Sequence, residues 1–265
     1  MKLVSSQKPH IAVVGSSDIE LSLDLPHTPS PGDSLFSEPV SSRPGGRASD
    51  ICVALSTLGA RVFLFSCVGL DSYGSRILHE LRKSRVNTDF VERTDHPTGM
   101  VLNMKDPDGG RIRMIAPGSG LAMGENSLVS GKAMISSCQL AVLLADVSEK
   151  AFVFATKIFH HYGVPVIIVP APAHRFKKQW ISLADIVLAG PAETAPLTGV
   201  KPSGLADAGN ALNHFLKRGC GAAVLYLGKY GAAAAQEIGK AGFYPSRTLK
   251  NAPAPEAEDV FAAAL

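Results

Sequence analysis

The sequence predicts an α/β protein in which helices cover both faces of a mostly parallel sheet and a small antiparallel sheet stands beside it. Two observations predict the main body. Apolar strand-like runs alternate with amphipathic helix-like runs, and 265 residues fit one domain. A third observation predicts the small sheet, because two stretches break this alternation with short strands around turns. The composition, 46% hydrophobic and 18% charged, is that of a globular protein with a large core.

The main body is read from apolar runs of strand length and from apolar residues recurring at helical spacing. Buried strands and intervening helices in this order indicate parallel pairing. Strands are predicted at residues 11–15, 61–68, 139–145, 164–169, 184–188 and 222–227, and helices at 49–58, 71–85, 149–162, 205–217 and 259–265.

The small sheet is predicted from two hairpin-like stretches. Residues 21–23 and 34–40 alternate apolar and polar side chains around a turn rich in proline and glycine. Residues 100–104 and 111–115 flank the sequence Asp106-Pro107-Asp108-Gly109-Gly110, which is a strong hairpin signal. Four short antiparallel strands would form a flap of the kind that commonly closes over a ligand.

Charge and motifs argue against several classes of protein. The net charge is +3, and its densest group, Arg175, Lys177 and Lys178, is typical of a solvated helix start, so no nucleic-acid partner is expected. No GxGxxG follows the first strand and no GxxxxGK(S/T) occurs, which disfavours a dinucleotide-binding dehydrogenase and a P-loop NTPase. No window reaches the roughly 18 apolar residues of a membrane span, and no secretory signal is recognised. A cytoplasmic protein without membrane contact is therefore expected.

Histidines and cysteines give no metal pattern. The adjacent His160 and His161 lack a second ligand pair at metal spacing and are more typical of a helix end. The four cysteines are far apart and form no CxxC pair, which predicts reduced, mostly buried thiols instead of a disulfide frame or a zinc site.

Polar residues and glycines follow the predicted strands at their carboxyl ends, where α/β sheets bind ligands. Each is weak evidence alone, since acidic residues and glycines are ordinary in loops, and the joint placement is what indicates a site. The candidates are Asp18, Glu20, Gly45, Gly46, Asp50, Gly228, Gly231 and Asp259.

Segments in a fixed order along nearly the whole chain resemble the ribokinase (PfkB-type) family of carbohydrate kinases. Residues 68–74 (VGLDSYG) carry the family's G-x-D-x-x-G pattern, and residues 44–50 (PGGRASD) are similar to its first signature. Further similar segments are residues 13–20, 98–99, 170–173, 197–199, 227–231 and 256–265, the last in the place of the second signature.

The resemblance implies a three-layer ribokinase-like fold with a small antiparallel β lid in a single domain over residues 1–265. The lid strands would lie near residues 20–41 and 99–116. In the family further helices follow the last similar segment, so these C-terminal helices are expected to be missing here. Family analogy also implies a possible homodimer through the lid, whose strand edges would otherwise be exposed.

The resemblance also implies a reaction, which is transfer of the γ-phosphoryl group of ATP, with Mg²⁺, to a hydroxymethyl group of a sugar or nucleoside. By position Asp259 would be the catalytic base, next to a turn whose backbone N–H groups face the phosphoryl group. The other implied roles are substrate binding by Asp18, Glu20, Gly45, Gly46 and Asp50, nucleotide binding by Glu193, Gly228, Gly231 and Ala257, and a place near the metal for Glu193.

Departures from the family pattern fall at these positions. The family's G-A-G-D turn reads Glu256-Ala257-Glu258-Asp259, and a carboxylate about 6 Å from a phosphate charge costs about 3 kcal/mol at an effective dielectric constant of about 20. The asparagine of the family's N-x-x-E motif is Gly190. The sugar-site pair, commonly Asn and Asp, reads Asp18 and Glu20, and the signature asparagine reads Asp50. Because an aspartate accepts but does not donate, ligand selectivity should change.

Two functional hypotheses follow, an impaired ATP-dependent carbohydrate kinase and a catalytically inactive family member that binds a small molecule or a partner. An unrelated α/β protein is the third reading. Outside the family, Asp259 would be a helix N-terminal residue favoured by the dipole and Gly45-Gly46 a simple turn. Asp71 is interpreted as a helix cap. Ribose, a fructose phosphate, a nucleoside and pseudouridine are all compatible substrates.

Overall fold

The computed structural model describes residues 8–37, 40–108, 111–202, 205–246 and 257–265. Within these ranges the chain forms thirteen strands: β1 (His10–Val14), β2 (Asp18–Asp24), β3 (Ser41–Gly45), β4 (Arg61–Gly69), β5 (Asn87–Thr94), β6 (Gly99–Lys105), β7 (Arg111–Ala116), β8 (Leu140–Leu144), β9 (Val166–Val169), β10 (Ile186–Ala189), β11 (Ala222–Tyr226), β12 (Ala232–Glu237) and β13 (Lys240–Tyr244). The same ranges contain eight α-helices: α1 (Arg47–Thr57), α2 (Ser72–Lys83), α3 (Asn126–Ser130), α4 (Lys132–Ile135), α5 (Glu149–His161), α6 (Pro191–Thr198), α7 (Leu205–Leu216) and α8 (Ala257–Ala264).

Nine strands form the main sheet in the order β13-β12-β11-β10-β9-β8-β1-β4-β5. The seven strands from β11 to β5 are all parallel to their neighbours. The hairpin of β12 and β13 adds two antiparallel strands at one edge. The predicted fold class, a mostly parallel sheet covered by helices with a smaller sheet beside it, is confirmed.

Helices cover both faces of the main sheet, and the side chains of β1 show how the two faces divide. Ala12 and Val14 belong to the core under α5 and α7, whereas Ile11 and Val13 belong to the core under α1, α2 and α8. Successive residues of a strand point to opposite faces, so a strand buried on both sides must be apolar throughout. This is why the strand runs of the main sheet were recognisable in the sequence.

The small sheet has the order β3-β2-β6-β7. Its two outer pairs, β2 with β3 and β6 with β7, are antiparallel as predicted. Its central pair, β2 with β6, is parallel instead. Both β2 and β6 begin just after strands of the main sheet end, so they leave that sheet in the same direction and pair side by side.

One predicted strand of the small sheet is wrong. The described part of residues 34–40 contains no strand, and the strand that pairs with β2 is β3 at Ser41–Gly45. The pairing of Asp18 with Gly45 places β3 directly before α1, whose N-cap is Gly46. The strand beside β2 is therefore formed by the Ser-Ser-Arg-Pro-Gly run, which has no alternating pattern.

Asp71 caps α2, as predicted. Its carboxylate accepts hydrogen bonds from the backbone N–H groups of Gly74 (2.8 Å) and Thr98 (2.8 Å) and from the Thr98 hydroxyl (2.7 Å). One aspartate thereby satisfies the helix end and fixes the loop that leads into β6. The residue is structural and shapes the entry to the small sheet.

Two of the predictions concern membrane-spanning segments and the state of the cysteines. In the described ranges no helix combines the length and the apolar character needed to cross a membrane. All four cysteines are free thiols and buried.

Phe65 is a core residue whose contribution to stability can be tested by substitution. It is fully buried on β4, stacks on Phe90 with ring centroids 4.8 Å apart, and meets the ring edge of Phe159. We expect Phe65→Ala to lower the free energy of unfolding by about 3–5 kcal/mol, because the cavity it leaves is closed on every side. Urea unfolding followed by circular dichroism measures the loss. Leu58→Ala, at a side chain that is 62% exposed, should change stability by less than about 0.5 kcal/mol, and equal losses in the two variants would contradict this account.

Candidate functional site

Two neighbouring cavities lie between the small sheet and the carboxyl edge of the main sheet, and Arg113 on β7 lines both. The first, the small-sheet cavity, has a volume of about 350 Å³ and contains three predicted site residues, Glu20, Asp50 and Asp259. The second, the sheet-edge cavity, has a volume of about 340 Å³ and contains Asp18, Gly46 and Glu193. These volumes are within the roughly 300–1,000 Å³ typical of small-molecule sites.

Arg47, the first residue of α1, joins the two buried carboxylates of the predicted catalytic region. Its Nε donates to Oδ1 of Asp259 at 3.0 Å, and its terminal nitrogen donates to Oε1 of Glu193 at 3.1 Å. Arg47 is 16% exposed, and the two carboxylate side chains are 5% and 9% exposed. A guanidinium presents its donors in a rigid fork, so it holds two carboxylates in a fixed relation. The arrangement holds the Asp259 carboxylate in a fixed orientation.

Arg43, on β3, joins the other two carboxylates of the predicted substrate site. It donates to Oε2 of Glu20 at 2.7 Å and to Oδ1 of Asp50 at 2.9 Å. Arg113 approaches the second oxygen of Glu20 at 3.3 Å. Arg43 is 42% exposed, so solvent screens these pairs more than those of Arg47. Any ligand in the small-sheet cavity would meet Arg43 together with the two carboxylates.

Gly45 and Gly46 are required by the close approach of β2. A Cβ on Gly45 would lie 2.7 Å from Cγ of Glu20, and a Cβ on Gly46 would lie 2.9 Å from the backbone nitrogen of Asp18. Gly46 also has φ of 87°, which side-chain-bearing residues rarely adopt. The glycine pair thus lets the start of α1 lie against the two acidic residues of β2.

Asp18 forms a carboxyl pair with Asp146, which follows β8. The hydroxyl of Ser16 lies 2.8 Å from Oδ2 of Asp18 and 2.9 Å from Oδ2 of Asp146, and the Ser16 N–H donates to Oδ1 of Asp146 at 3.0 Å. Burial, and after it the nearby Asp146, raises the pKa of Asp18 to about 7. Burial raises the pKa of Asp146 as well. The pair therefore retains a proton well above the pH at which an ordinary aspartate loses it.

The residues around Glu193 do not fit a magnesium ion held by protein carboxylates. One oxygen of Glu193 accepts from Arg47, and the other accepts from the backbone N–H of Gly190 at 3.2 Å. Within the described ranges no group of three or more His, Cys, Asp or Glu side chains could hold a metal ion. Mg²⁺ prefers an octahedron of oxygen ligands, and the guanidinium of Arg47 lies against the oxygen that such an ion would need.

The structure brings together seven of the predicted site residues and leaves two apart. Asp18, Glu20, Gly45, Gly46, Asp50, Glu193 and Asp259 line or border the two cavities. Gly228 and Gly231 flank a short 3₁₀ turn after β11 and line neither cavity. Gly231 has a structural reason to be glycine, because a Cβ there would overlap the backbone carbonyl of Tyr244 on β13.

The predicted phosphate turn lies mostly beyond the part of the chain that the structure describes. Residues 253–256, which include Glu256, are outside the described residues, as are the side chains of Ala257 and Glu258. The backbone of Ala257 begins α8, which places Asp259 in the first turn of that helix. A carboxylate in a first turn is favoured by the helix dipole.

Sequence reasoning missed three side chains that shape the site. Asp146 follows β8 as Asp18 follows β1, so the rule that found Asp18 would have found it. Arg43 and Arg47 carry no such signal. Their importance comes from carboxylates 7 to 212 residues away in the chain, and only the folded arrangement reveals it.

The chain is similar to known proteins along most of its length. A family model described as pfkB family carbohydrate kinase matches residues 8–262. Ribokinase from Mus musculus is 27% identical over 260 residues, which cover 96% of this chain and 80% of the relative. Ribokinase from Schizosaccharomyces pombe is 28% identical over 269 residues, which cover 97% of this chain and 84% of the relative.

Solved structures give the same picture of the fold. The structure of Arabidopsis thaliana ribokinase complexed with ribose and ATP has a TM-score of 0.86 at 20% identity, covering 97% of this chain and 85% of that one. Ribokinase from Cryptococcus neoformans var. grubii, in complex with ADP, has a TM-score of 0.79 at 19% identity, covering 97% and 85%. These likenesses show a shared fold.

The Asp18 carboxyl makes stability depend on pH. Its ordinary pKa is 3.8 and the folded value is about 7, so between about pH 4 and 7 the folded chain holds a proton that the unfolded chain has lost. The free energy of unfolding should therefore fall as pH rises through this window, by at most about 1.4 kcal/mol per pH unit from this group. We expect Asp18→Asn to flatten this slope, and urea unfolding at pH 5, 6, 7 and 8 measures it.

Asp95→Asn is the matched control, because it removes a carboxylate from an exposed loop. Its slope should equal that of the wild type. A slope unchanged by Asp18→Asn would show that the buried pair does not hold the extra proton.

Proposed function

The chain belongs to the pfkB family of carbohydrate kinases, and from that premise we propose that it transfers the γ-phosphoryl group of ATP to a hydroxymethyl group of a sugar or nucleoside. The observation that carries the proposal is the position of Asp259. Its buried carboxylate sits in the first turn of α8, is oriented by Arg47, and lines the same cavity as Glu20 and Asp50. A base must be fixed within hydrogen-bond reach of the hydroxyl that it deprotonates.

The proposed substrate site is the small-sheet cavity together with the part of the sheet-edge cavity around Asp18. Carboxylates are strong acceptors for sugar hydroxyl groups, and Glu20 and Asp50 face the cavity beside Asp259. Asp18, when it holds its proton, also offers a donor. The glycines at 45 and 46 let Glu20 and Asp18 lie close against the start of α1. Ribose binding by the Arabidopsis thaliana relative supports a sugar as the first ligand to test.

The residues of this chain would act on the acceptor side of the reaction. Asp259 would take the proton of the hydroxymethyl group, and Arg47 would hold that carboxylate in place. The positive end of α8 would face the transferring group, because the first N–H groups of a helix have no partner within the helix. ATP supplies the phosphoryl group. No step is assigned to a metal ion held by the protein, since the Glu193 region does not fit one.

A second candidate is a ligand-binding member of the family without catalysis. The ion pairs of Arg43 and Arg47 favour it, because they occupy the carboxylates that the reaction needs. The glutamates at 256 and 258 favour it as well, since negative charge there would repel the phosphates. In this case the chain would bind a sugar and release it unchanged. A kinase with impaired activity is intermediate between the active kinase and the non-catalytic binding protein.

Turnover of a sugar decides between these candidates. Release of ADP is measured with MgATP against a panel of pentoses, hexoses, hexose phosphates and nucleosides. We expect Asp259→Asn to lower kcat by about 10²–10⁴-fold, the usual contribution of a general base, with a small change in KM. Asp95→Asn, which removes a carboxylate from an exposed loop, should leave kcat unchanged. Sugar binding by calorimetry without turnover in the wild type would support the binding protein.

We also propose that two copies of the chain form a homodimer. The interface would be the face of the small sheet that lies opposite the polar residues around the cavity. Leu21, Leu102 and Met114 lie side by side across β2, β6 and β7, and Met114 is 55% exposed. Alternation along the strands places them opposite the polar residues around the cavity. An apolar face with open strand edges is a surface that a second copy would protect.

Sedimentation velocity at micromolar concentration tests the dimer. We expect the wild type to sediment as a dimer and Met114→Glu to sediment as a monomer, because a buried unpaired charge at the interface opposes association. Glu237→Gln, which changes a charge on β12 at the edge of the main sheet, should remain dimeric. A monomeric wild type would rule the dimer out.

A further inference from the structure

A further cavity lies beside the sheet-edge cavity, on the other side of the segment that follows β8. Asp146 lines the sheet-edge cavity, whereas its neighbours Ala145 and Val147 line this one. Its volume is about 350 Å³, and we call it the α5 cavity because Glu149 and Phe152 of that helix line it as well. Its described lining contains none of the predicted site residues, so it is a place separate from the proposed substrate site.

One side of the α5 cavity is aromatic. It is lined by Phe152 and by Trp180, which belongs to the short 3₁₀ helix Lys178–Leu183, and the two ring centroids are 4.8 Å apart. Phe176 packs edge-on against both rings, with its centroid 6.2 Å from that of Phe152 and 5.6 Å from that of Trp180. Three rings packed in this way form a rigid apolar wall, which favours a ligand with an apolar body.

The other side of the cavity carries Arg175, whose charge no described residue compensates. Its side chain makes no hydrogen bond or ion pair with a described residue, and its Nε is a buried donor without an acceptor. His174 lines the cavity beside it. The guanidinium is charged at every physiological pH, and a buried donor without a partner is costly. This side of the cavity is therefore complementary to an anionic acceptor.

The carboxylate in the described lining of this cavity is already paired elsewhere. Glu149 forms an ion pair with Lys177, whose Nζ also lies 5.6 Å from the centroid of the Trp180 ring. Glu149 therefore has a counter-charge of its own and does not engage Arg175. The fork of N–H donors on Arg175 remains available to a ligand.

A carboxylate fits this arrangement better than a phosphate does. A guanidinium binds a carboxylate through two parallel N–H···O bonds, which occupy both of its oxygens. A phosphate group would direct further charged oxygens towards the aromatic wall, where Phe152 offers no donor, and burying them there would be costly. A carboxylate leaves the remainder of its ligand free to pack against the rings.

We propose that the α5 cavity is a second ligand site, which binds a small carboxylic acid with an apolar body. Arg175 holds the carboxylate, and the apolar body packs against Phe152 and Trp180. The site does not depend on the proposed function, because no sugar, nucleotide or phosphate takes part in it. Arg175 also lines the sheet-edge cavity, so a bound acid would fix a side chain in the wall between the two cavities.

Tryptophan fluorescence tests this directly, because Trp180 is the single tryptophan of the chain and lines the cavity. Benzoate is titrated into the full chain, with calorimetry on the same sample. We expect a saturable change in Trp180 emission with a Kd of about 1 mM or below, which is reasonable for a ligand of this size. Benzamide lacks the charge and acetate lacks the ring, so each should bind at least about tenfold more weakly than benzoate.

Substitution of Arg175 tests the role of its charge. Arg175→Gln should weaken benzoate binding by about ten- to hundredfold, the range of a charge-assisted hydrogen bond. Arg175→Lys, which keeps the charge and loses the fork, should recover part of the loss. Lys178→Gln is the control, because it removes one positive charge from an exposed position three residues away and should leave binding unchanged. Thermal melting of each variant checks that the fold is retained.

Three results would overturn the proposal. The first is a wild type in which benzoate gives neither a change in Trp180 emission nor heat. The others are equal binding of benzoate by Arg175→Gln and the wild type, and equal binding of benzamide and benzoate, since the carboxylate would then not be recognised. The result is separable from that of the proposed function. Sugar turnover without benzoate binding upholds the kinase and removes this site, and Arg175-dependent benzoate binding without turnover does the reverse.

Discussion

The bridge from Arg47 to Glu193 and Asp259 is the interaction on which the site depends. It links α1, α6 and α8, with partners 146 and 212 residues away in the chain. Each carboxylate is buried and would be costly to ionise alone, so both need the guanidinium between them. Removing one member of such a buried pair typically costs about 3–5 kcal/mol, because a charge is left without compensation. The same contact therefore fixes the last helix on the sheet and positions the proposed base.

Two groups of buried carboxyls at this edge of the sheet are stabilised in different ways. Glu193 and Asp259 share a fixed positive charge, whereas Asp18 and Asp146 share a hydroxyl and hold a proton. In the first group the compensating charge of Arg47 does not change in the physiological pH range. In the second group Asp18 has a pKa of about 7. Acidic residues gathered at the ends of parallel strands thus remain compatible with burial, although each group responds differently to its surroundings.

The sequence was sufficient for six of the nine strands of the main sheet. These strands are buried and therefore read as unbroken apolar runs, as in β1 and β4. The sequence was insufficient where a strand forms because of the strand beside it and not because of its own apolar pattern. The run Ser41–Gly45 has no strand signal and becomes β3 because it lies beside β2 at the entrance to α1, and the alanine-rich β12 resembles no typical strand. In the site, the carboxylates could be located because ligand-binding residues follow the carboxyl ends of parallel strands. The arginines that pair with them could not, because no local sequence pattern shows which carboxylates lie near them in the fold.

Arg43 and Arg47 also differ in how easily their ion pairs can be exchanged for contacts with a ligand. Arg43 is 42% exposed, so its pairs with Glu20 and Asp50 are screened, and sugar hydroxyl groups could replace them at little cost. Arg47 is 16% exposed and its partners are almost fully buried, so its pairs would be expensive to exchange. Substrate selection and chemistry place opposite demands on a site, since the first requires groups that can change partner and the second requires a base that does not move. The difference in burial between Arg43 and Arg47 meets both demands with the same residue type, on two neighbouring elements of the chain.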